Sequence, residues 1–372
     1  MKKIAGIVFI LAAIFVLYSF EFKAVMRTAF KGERLMNMKN ASNNIKGKFV
    51  NQNGSLPIMQ GSQSEIFKRF LFGKEKRVPD KPINVMKVDG SKLTGGSSKD
   101  LRVTWLGHSS TIIEIEGKII LTDPILSKRP SPVFFAGPKR YHDGLPIEAE
   151  NLPQIDLIII SHDHYDHLDY KTIKQIHGKT KRFVVPLGVG AWLEKWGVDP
   201  NKITELNWWQ SINYDFDIEI TAAPSQHFSG RRVIDNNQTL WASWVIKGKN
   251  YKVFFSGDSG YNPAFKEIGK RFGPFDLTLM ECGQYNKNWE SVHMLPQQTV
   301  QAHVDVKGKI LLPIHWGAYN LSLHNWHDPV DKALEAAKKK NISLAHPRIG
   351  ETITIGKDLP TEKWWLTELS RK

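Results

Sequence analysis

From residue 101 onward, short apolar runs alternate with turn residues along the chain. Ten runs of five or six residues are bounded by Gly, Pro, Asn or Asp, a pattern typical of β-strands. These runs occupy residues 101–106, 110–115, 118–122, 156–161, 182–186, 218–222, 242–246, 252–256, 277–281 and 310–314. Helical periodicity between them predicts helices over residues 170–177, 190–195, 263–271, 296–304 and 330–340. The alternation predicts an α/β body with at least ten strands.

The extreme N-terminus follows a different pattern. Residues 4–20 carry no charge and follow Lys2 and Lys3, and the run is long enough to cross a thin bilayer. We therefore predict an uncleaved transmembrane anchor over residues 1–22, which would attach the protein to the cell membrane. A cleaved signal peptide is the alternative, since a basic start and an apolar stretch describe one too. Basic residues flank the run on both sides, so the side of the membrane that holds the body stays open.

Residues 23–100 form a polar, basic juxtamembrane region that lacks the apolar density for a core of its own. The stretch 64–72 is an exception, because its apolar positions can line one face of a short helix. Such a helix either packs on the main domain or lies on an anionic membrane surface. Residues 101–356 are then the catalytic domain, and residues 357–372 a C-terminal tail.

Composition narrows the class of protein. With 41% hydrophobic and 24% charged residues in 372, the chain is globular in type and long enough for a substantial core. Cys282 is the single cysteine, which excludes an internal disulfide framework and any multi-cysteine metal site. The net charge of +14 divides into +11 for residues 1–100 and +3 for residues 101–372. No nucleic-acid partner is expected, because the body lacks the basic excess that tracks a phosphate backbone.

Four potential metal ligands follow directly on the apolar run at residues 158–160. His162 and His164 are separated by one residue, so both can converge on one ion, whereas Asp166 and His167 can reach a second ion close by. Asp163 is expected to be solvated or to support a neighbouring ligand. Asp169 is expected to cap the helix that begins near residue 170.

Three more ligand types also follow apolar runs. His227, Asp258 and His315 each come after a predicted strand, and functional residues of α/β sheets gather outside strand ends. The seven side chains suit a pair of divalent metals. We expect His162, His164 and His227 on one ion, Asp166, His167 and His315 on the other, and Asp258 as the bridge. His108 and Asp123 also end strands and are candidates for orienting the ligating imidazoles.

The order of these ligands resembles the metallo-β-lactamase superfamily. Further motifs resemble one branch, the N-acylphosphatidylethanolamine-hydrolysing phospholipases D and their bacterial relatives, over residues 101–351. Among the motifs that carry this resemblance are Trp105-Leu106-Gly107-His108, Leu121-Thr122-Asp123-Pro124, Pro224-Ser225-Gln226-His227, Gly257-Asp258-Ser259-Gly260-Tyr261 and Ile314-His315-Trp316-Gly317.

The resemblance implies a four-layer αβ/βα sandwich with a dinuclear zinc site at one edge of two sheets. Two Zn²⁺ ions are therefore the expected cofactors, with Mn or Fe as possible replacements. The resemblance also points to His293 as an active-site histidine that binds no metal, although Val292 departs from the family's polar neighbour and weakens the inference about lipid specificity.

The expected function is hydrolysis of phospholipid phosphodiesters by a metal-bridging hydroxide, with Asp166 and His293 as catalytic residues. Two metals can lower the pKa of a shared water to near 7 and polarise the bond to be cleaved. A lactone, β-lactam or small-ester hydrolase is the alternative on the same site, and a nucleic-acid-processing enzyme is an alternative of another class. Aromatic residues could wall an acyl-chain groove, although packing in the core is their usual role. They are Phe134, Phe135, Trp208, Trp209, Trp241, Trp244, Trp289, Trp316 and Trp326.

Overall fold

The computed structural model describes residues 22–371, apart from 27, 55–61, 94–99, 134, 233 and 234. The predicted anchor over residues 1–22 therefore lies, except for Phe22, outside the described residues. Among the helices that are described, none is both long and apolar enough to cross a membrane.

Two seven-stranded mixed sheets form the body. The first has the order β16-β3-β4-β5-β6-β7-β8 and the second the order β15-β14-β13-β12-β11-β10-β9, while β1 and β2 pair separately near the N-terminus. The strands in chain order are β1 (Asn44–Ile45), β2 (Lys48–Phe49), β3 (Arg102–Gly107), β4 (Ser110–Ile115), β5 (Lys118–Thr122), β6 (Ile155–Ile159), β7 (Thr180–Pro186), β8 (Ile203–Leu206), β9 (Ser211–Asp215), β10 (Ile218–Ala223), β11 (Ser243–Lys247), β12 (Lys252–Phe255), β13 (Phe275–Glu281), β14 (Gly308–Ile314), β15 (Ser343–Leu344) and β16 (Thr352–Thr354). In each sheet three neighbouring pairs are parallel, namely β5 to β8 and β12 to β15.

Helices pack on the outer faces of the two sheets, and further helices lie near both ends of the chain. In order they are α1 (Gly32–Asn40), α2 (Gln63–Phe72), α3 (Tyr170–Ile176), α4 (Gly190–Lys195), α5 (Ala264–Arg271), α6 (Pro296–Asp305), α7 (Asp328–Lys339) and α8 (Trp364–Ser370). Asp169 caps α3, as the sequence predicts, because its carboxylate accepts a hydrogen bond from the backbone N–H of Thr172 at 3.2 Å.

Alternation along the strands assigns each side chain to one of three apolar layers. In β6, Leu157 and Ile159 point into the core between the sheets, whereas Ile158 packs with Ile173 of α3 on the outer face. Phe254 of β12 packs outward in the same way against α5 and α6. Helix, sheet, sheet and helix are therefore stacked in that order, which confirms the predicted four-layer sandwich.

The terminal regions contribute to this core. Phe49 of β2, within the predicted juxtamembrane region, is fully buried in the layer between the sheets. The segment predicted as a C-terminal tail contains α8, whose Trp364 and Trp365 are buried in that layer as well. Trp364 stacks on Trp316 with ring centroids 5.6 Å apart. The last helix thus supports the strand end that carries His315.

Candidate metal centre

The candidate ligands all lie at one edge of the sandwich, because their strands run in the same direction within each sheet. His162 follows β6 of the first sheet, while His227, Asp258 and His315 follow β10, β12 and β14 of the second. His315 has a φ of +65°, a left-handed conformation that turns the chain sharply at the end of β14. The edge therefore collects polar side chains from both sheets, as the sequence predicts.

One group consists of three histidine ring nitrogens and a carboxylate oxygen. His162 Nε2 lies 2.8 Å from His164 Nδ1, which in turn lies 3.3 Å from His227 Nε2. Asp258 Oδ2 completes the group at 3.8 Å from His162 Nε2 and 3.7 Å from His227 Nε2.

The second group uses the same carboxylate oxygen. Asp258 Oδ2 lies 3.1 Å from His167 Nε2 and 3.3 Å from His315 Nε2. Asp166 Oδ2 lies 3.4 Å from each of these two nitrogens. One oxygen of Asp258 thus belongs to both groups, in the position that the sequence assigns to a bridge.

These spacings fit divalent metal ions. Four donors placed 2.0–2.1 Å from a tetrahedral zinc ion lie about 3.3 Å from one another. Most of the donor pairs in both groups fall within a few tenths of an ångström of that value. The other oxygen of Asp258 is buried without a hydrogen-bond partner. Burying so many close donors of like kind is costly without a cation among them, so the donor set fits metal binding.

The electrostatics of the cluster favour the protonation states that bind metal for several of these groups. Burial opposes ionisation of Asp258, yet the adjacent His167 and His315 hold its pKa well below the usual range. Burial and then the neighbouring His167 hold the pKa of His162 well below the usual value, which leaves it neutral. Burial also acts to lower the pKa of His315, but Asp258 and Asp166 raise it to about 9. Metal binding at His315 would consequently release a proton.

Asp123 orients two histidines of the cluster through contacts behind them. Its carboxylate lies 2.6 Å from His167 Nδ1 and accepts hydrogen bonds from the backbone N–H and hydroxyl of Ser161. The Ser161 hydroxyl is also 2.9 Å from His162 Nδ1. In both imidazoles this leaves Nε2 as the nitrogen that faces the candidate metals.

Of two other predicted supporting residues, His108 contacts the cluster directly, whereas Asp163 contacts the residues around it. His108 Nε2 lies 2.9 Å from Asp166 Oδ2. Asp163 is buried rather than solvated, because its carboxylate accepts hydrogen bonds from the backbone N–H of Gly230 and the indole of Trp192. Asp163 therefore holds the loop of residues 162–167, which carries four of the candidate ligands, against the loop that follows His227.

Glu281 is the buried group that the sequence analysis missed. It ends β13, is fully buried, and lies 2.9 Å from His293 Nδ1 and 3.4 Å from His315 Nδ1. Its second oxygen accepts a hydrogen bond from the backbone N–H of Met294 at 2.6 Å. The available signal was the one used for Asp258, a carboxylate at the end of an apolar run. Glu281 thereby joins His293 to a candidate ligand.

A cavity of about 430 Å³ opens over the cluster, and His293 lies in its wall. Phe228, Trp289, Val292 and Leu321 supply the apolar part of its lining. Of the aromatic residues considered for such a wall that the structure describes, Trp289 lines this cavity and the others do not. Five others lie in the core between the sheets, namely Trp208, Trp241, Trp244, Trp316 and Trp326. Their interior packing reflects the large apolar area that an indole removes from water.

Comparison with known proteins places this arrangement in a family. A family model described as "Beta-lactamase superfamily domain" matches residues 118–316, which include every candidate ligand. The chain belongs to the metallo-β-lactamase superfamily.

Relatives in this superfamily cover most of the body. The chain is 43% identical over 274 residues to an uncharacterized protein of Mycobacterium tuberculosis, a match covering 73% of each chain. It is 36% identical to the N-acyl-phosphatidylethanolamine-hydrolyzing phospholipase D 1 of Caenorhabditis elegans, covering 70% of this chain and 76% of the relative. A possible metal-dependent hydrolase from Veillonella parvula shares the fold with a TM-score of 0.55 at 17% identity, over 68% of this chain and 99% of that one. A metallo-β-lactamase fold and hydrolase chemistry follow from these matches.

Proposed function

We propose that this protein hydrolyses a phosphodiester bond of phospholipids, using two divalent metals, most simply zinc. The observation that carries the proposal is the pair of donor groups sharing Asp258 Oδ2 beneath a cavity with a partly apolar wall. The relatives named as phospholipases D support the substrate class, since the worm protein matches 70% of this chain. The predicted anchor over residues 1–22 would hold the enzyme at the cell membrane, where such substrates lie.

The metal ligands proposed for the first ion are His162, His164 and His227, and those for the second are Asp166, His167 and His315, with Asp258 shared. When bound, the two ions would supply a nucleophilic water at neutral pH and charge stabilisation for the phosphoryl oxygens. Neutral imidazoles outnumber carboxylates in this set, which keeps a metal-loaded centre cationic and suits an anionic substrate.

His293 is proposed to act on the substrate. With Nδ1 held by Glu281, its other ring nitrogen would donate a proton to a departing oxygen within the cavity. Phe228 and Trp289 would exclude water from the lipid side of the scissile bond. Asp166 would keep its carboxylate in place through His108.

Metal analysis combined with a substrate panel tests this proposal. The purified full chain should contain about two transition-metal ions and cleave lipid phosphodiesters, because one tetrahedral ion cannot use all seven donors. Asp258→Ala should lose metal and nearly all turnover. Asp143→Ala is the matched control, since Asp143 is an exposed aspartate whose one ion pair among the described residues is with Lys139 at 3.9 Å. Full metal content and full turnover in Asp258→Ala would refute the site.

The panel also separates the alternative activity. It should contain lipid phosphodiesters, soluble phosphodiesters, nucleotides, lactones and β-lactams. Efficient cleavage of a lactone or β-lactam, with lipid phosphodiesters untouched, would assign the site to small-ester or lactam hydrolysis instead.

A further inference from the structure

The helix α2 presents large apolar side chains to solvent. In α2, Phe67 and Leu71 are 64% and 58% exposed, and Phe72 at the end of the helix is 80% exposed. Phe67, Phe70 and Leu71 are spaced three and four residues apart, so they share one face of the helix. The chain thus presents adjacent large apolar side chains to solvent, an arrangement that marks an interaction surface.

Basic side chains frame this face. Lys68 and Lys74 are exposed, and no ion pair among the described residues involves either of them. Arg77 lies over the ring of Phe70 at 4.5 Å and donates a hydrogen bond to the Phe70 carbonyl. Residues 64–81 carry six basic and three acidic side chains, which gives this segment a net charge of +3. Apolar and cationic groups together match an anionic lipid surface.

Hydrogen bonds fix α2 and the segment after it to the loop that borders the cavity. Arg69 Nη2 donates to the carbonyl of Leu323 at 3.4 Å, and Asn320 Nδ2 donates to the carbonyl of Arg77 at 2.7 Å. Leu321, between these two loop residues, lines the cavity and donates its backbone N–H to Gln284. A bilayer that receives α2 would therefore lie next to the cavity entrance.

We propose that α2 is a membrane-docking helix that inserts its apolar face into the headgroup region of an anionic bilayer. The inference that docking delivers substrate rests on the proposed function, whereas docking itself rests on the exposed face, its charge and its attachment. Anionic lipid is preferred over a protein partner as the occupant because the surrounding side chains are mostly basic and complement the charge of such a surface. Inserting such side chains at the lipid interface removes their apolar surface from water.

An environment-sensitive fluorophore on the full chain tests this proposal. Phe72→Cys provides the labelling site, because the native Cys282 is buried and burial raises the pKa of its thiol. Phe216→Cys is the matched control, since Phe216 is also an exposed phenylalanine but is flanked by Asp215 and Asp217. Any anchor in residues 1–22 tethers both variants equally, so the comparison reports docking of α2 alone.

With vesicles of phosphatidylcholine and phosphatidylglycerol, the label at position 72 should shift to the blue and brighten, and the label at position 216 should not. The response should weaken in phosphatidylcholine alone, at high salt, and when Lys68→Glu and Lys74→Glu are added. An unchanged label at position 72 would overturn the proposal, as would a shift that depends on protein concentration without vesicles, which indicates a second copy as the occupant. Turnover of a soluble phosphodiester, measured in the same samples, distinguishes failure of docking from failure of the proposed function.

Discussion

At the scale of single residues, the centre depends on which nitrogen each histidine turns inward. Asp123 and Ser161 engage the Nδ1 atoms of His167 and His162, and the carbonyl of Val292 lies 3.0 Å from Nδ1 of His227. Each outer contact selects the tautomer with a lone pair on Nε2, which is the form that binds a metal. Glu281 makes a similar contact with Nδ1 of His293, the histidine proposed to act on the substrate.

Glu281→Gln should lower kcat of the metal-loaded enzyme by roughly 10–100-fold, as loss of an outer-shell partner usually does. The amide keeps the shape but replaces one carboxylate oxygen with an amino group, which weakens the contact that orients the His293 ring. His293→Ala should lower kcat by roughly 100-fold or more, since general acids contribute on that scale. Steady-state kinetics of both variants and of the double variant provide the measurement.

If the two residues act as a unit, the double variant should be scarcely slower than His293→Ala alone. Additive losses would mean that Glu281 acts through His315 instead. Metal analysis of Glu281→Gln separates the two cases further, because an effect through His293 leaves the metal content unchanged.

At the scale of elements, α6 connects the outer helix layer to the site. His303 of α6 lies with Nδ1 2.7 Å from the hydroxyl of Thr278 on β13, and Thr299 donates its hydroxyl hydrogen to the Glu281 carbonyl. Apolar residues around Val300 pack the same helix against the second sheet. The position of Glu281 therefore depends on how α6 packs against β13.

The contact between α6 and β13 should make the free energy of unfolding depend on pH. Burial lowers the pKa of His303 to about 4, whereas an unfolded histidine titrates near 6.5. The unfolded chain therefore binds the proton first, so the stability due to neutral His303 is full above pH 6.5 and is lost as the pH falls toward 4. His303→Gln can still bond to Thr278 and does not titrate. Its Tm should consequently fall less than that of the wild-type protein between pH 6.5 and 4.5, and an equal fall in both would contradict the assignment.

At the scale of the whole molecule, the centre joins the two sheets. Its ligands come from β6 and the loop after it in the first sheet and from β10, β12 and β14 in the second. Five imidazoles and two carboxylates converge there, so the metal-free edge holds closely spaced polar groups that are buried. Metal binding should therefore stabilise the whole sandwich and not only the loop that carries most ligands.

Removing metal from the full chain with a chelator should lower its Tm by several degrees, and adding zinc back should restore it. A ligand present at a thousand times its Kd stabilises a folded protein by about 4 kcal/mol, and this contribution vanishes on removal. Differential scanning calorimetry with parallel metal analysis measures the effect. An unchanged Tm in protein shown to be metal-free would mean that the edge is stable without ions, and the proposed ligand set would then need revision.

The local pattern of the sequence determined the strands of the body and the residues at their ends. Runs such as those at 110–115 and 118–122 coincide with β4 and β5, because alternation of buried positions and turn residues is a property of neighbouring residues. The ligands His162, His164, Asp166 and His167 likewise lie within six residues of the chain, so the sequence alone indicates a metal site there. Edge strands were missed where burial is slight, as in β9, since a partly exposed strand lacks a continuous apolar run.

Only the tertiary structure decided how distant residues are paired. Glu281 meets His293 across twelve positions and His315 across thirty-four, and no local pattern encodes such contacts. Packing also decided that Trp364 enters the core and that Phe67 stays outside it. Both residues lie in short amphipathic stretches, and burial depends on whether another element supplies a complementary surface. The conformational preferences of neighbouring residues thus determine the helices, the strands and the types of ligand at strand ends. Contacts between residues far apart in the chain determine which side chains these ligands meet.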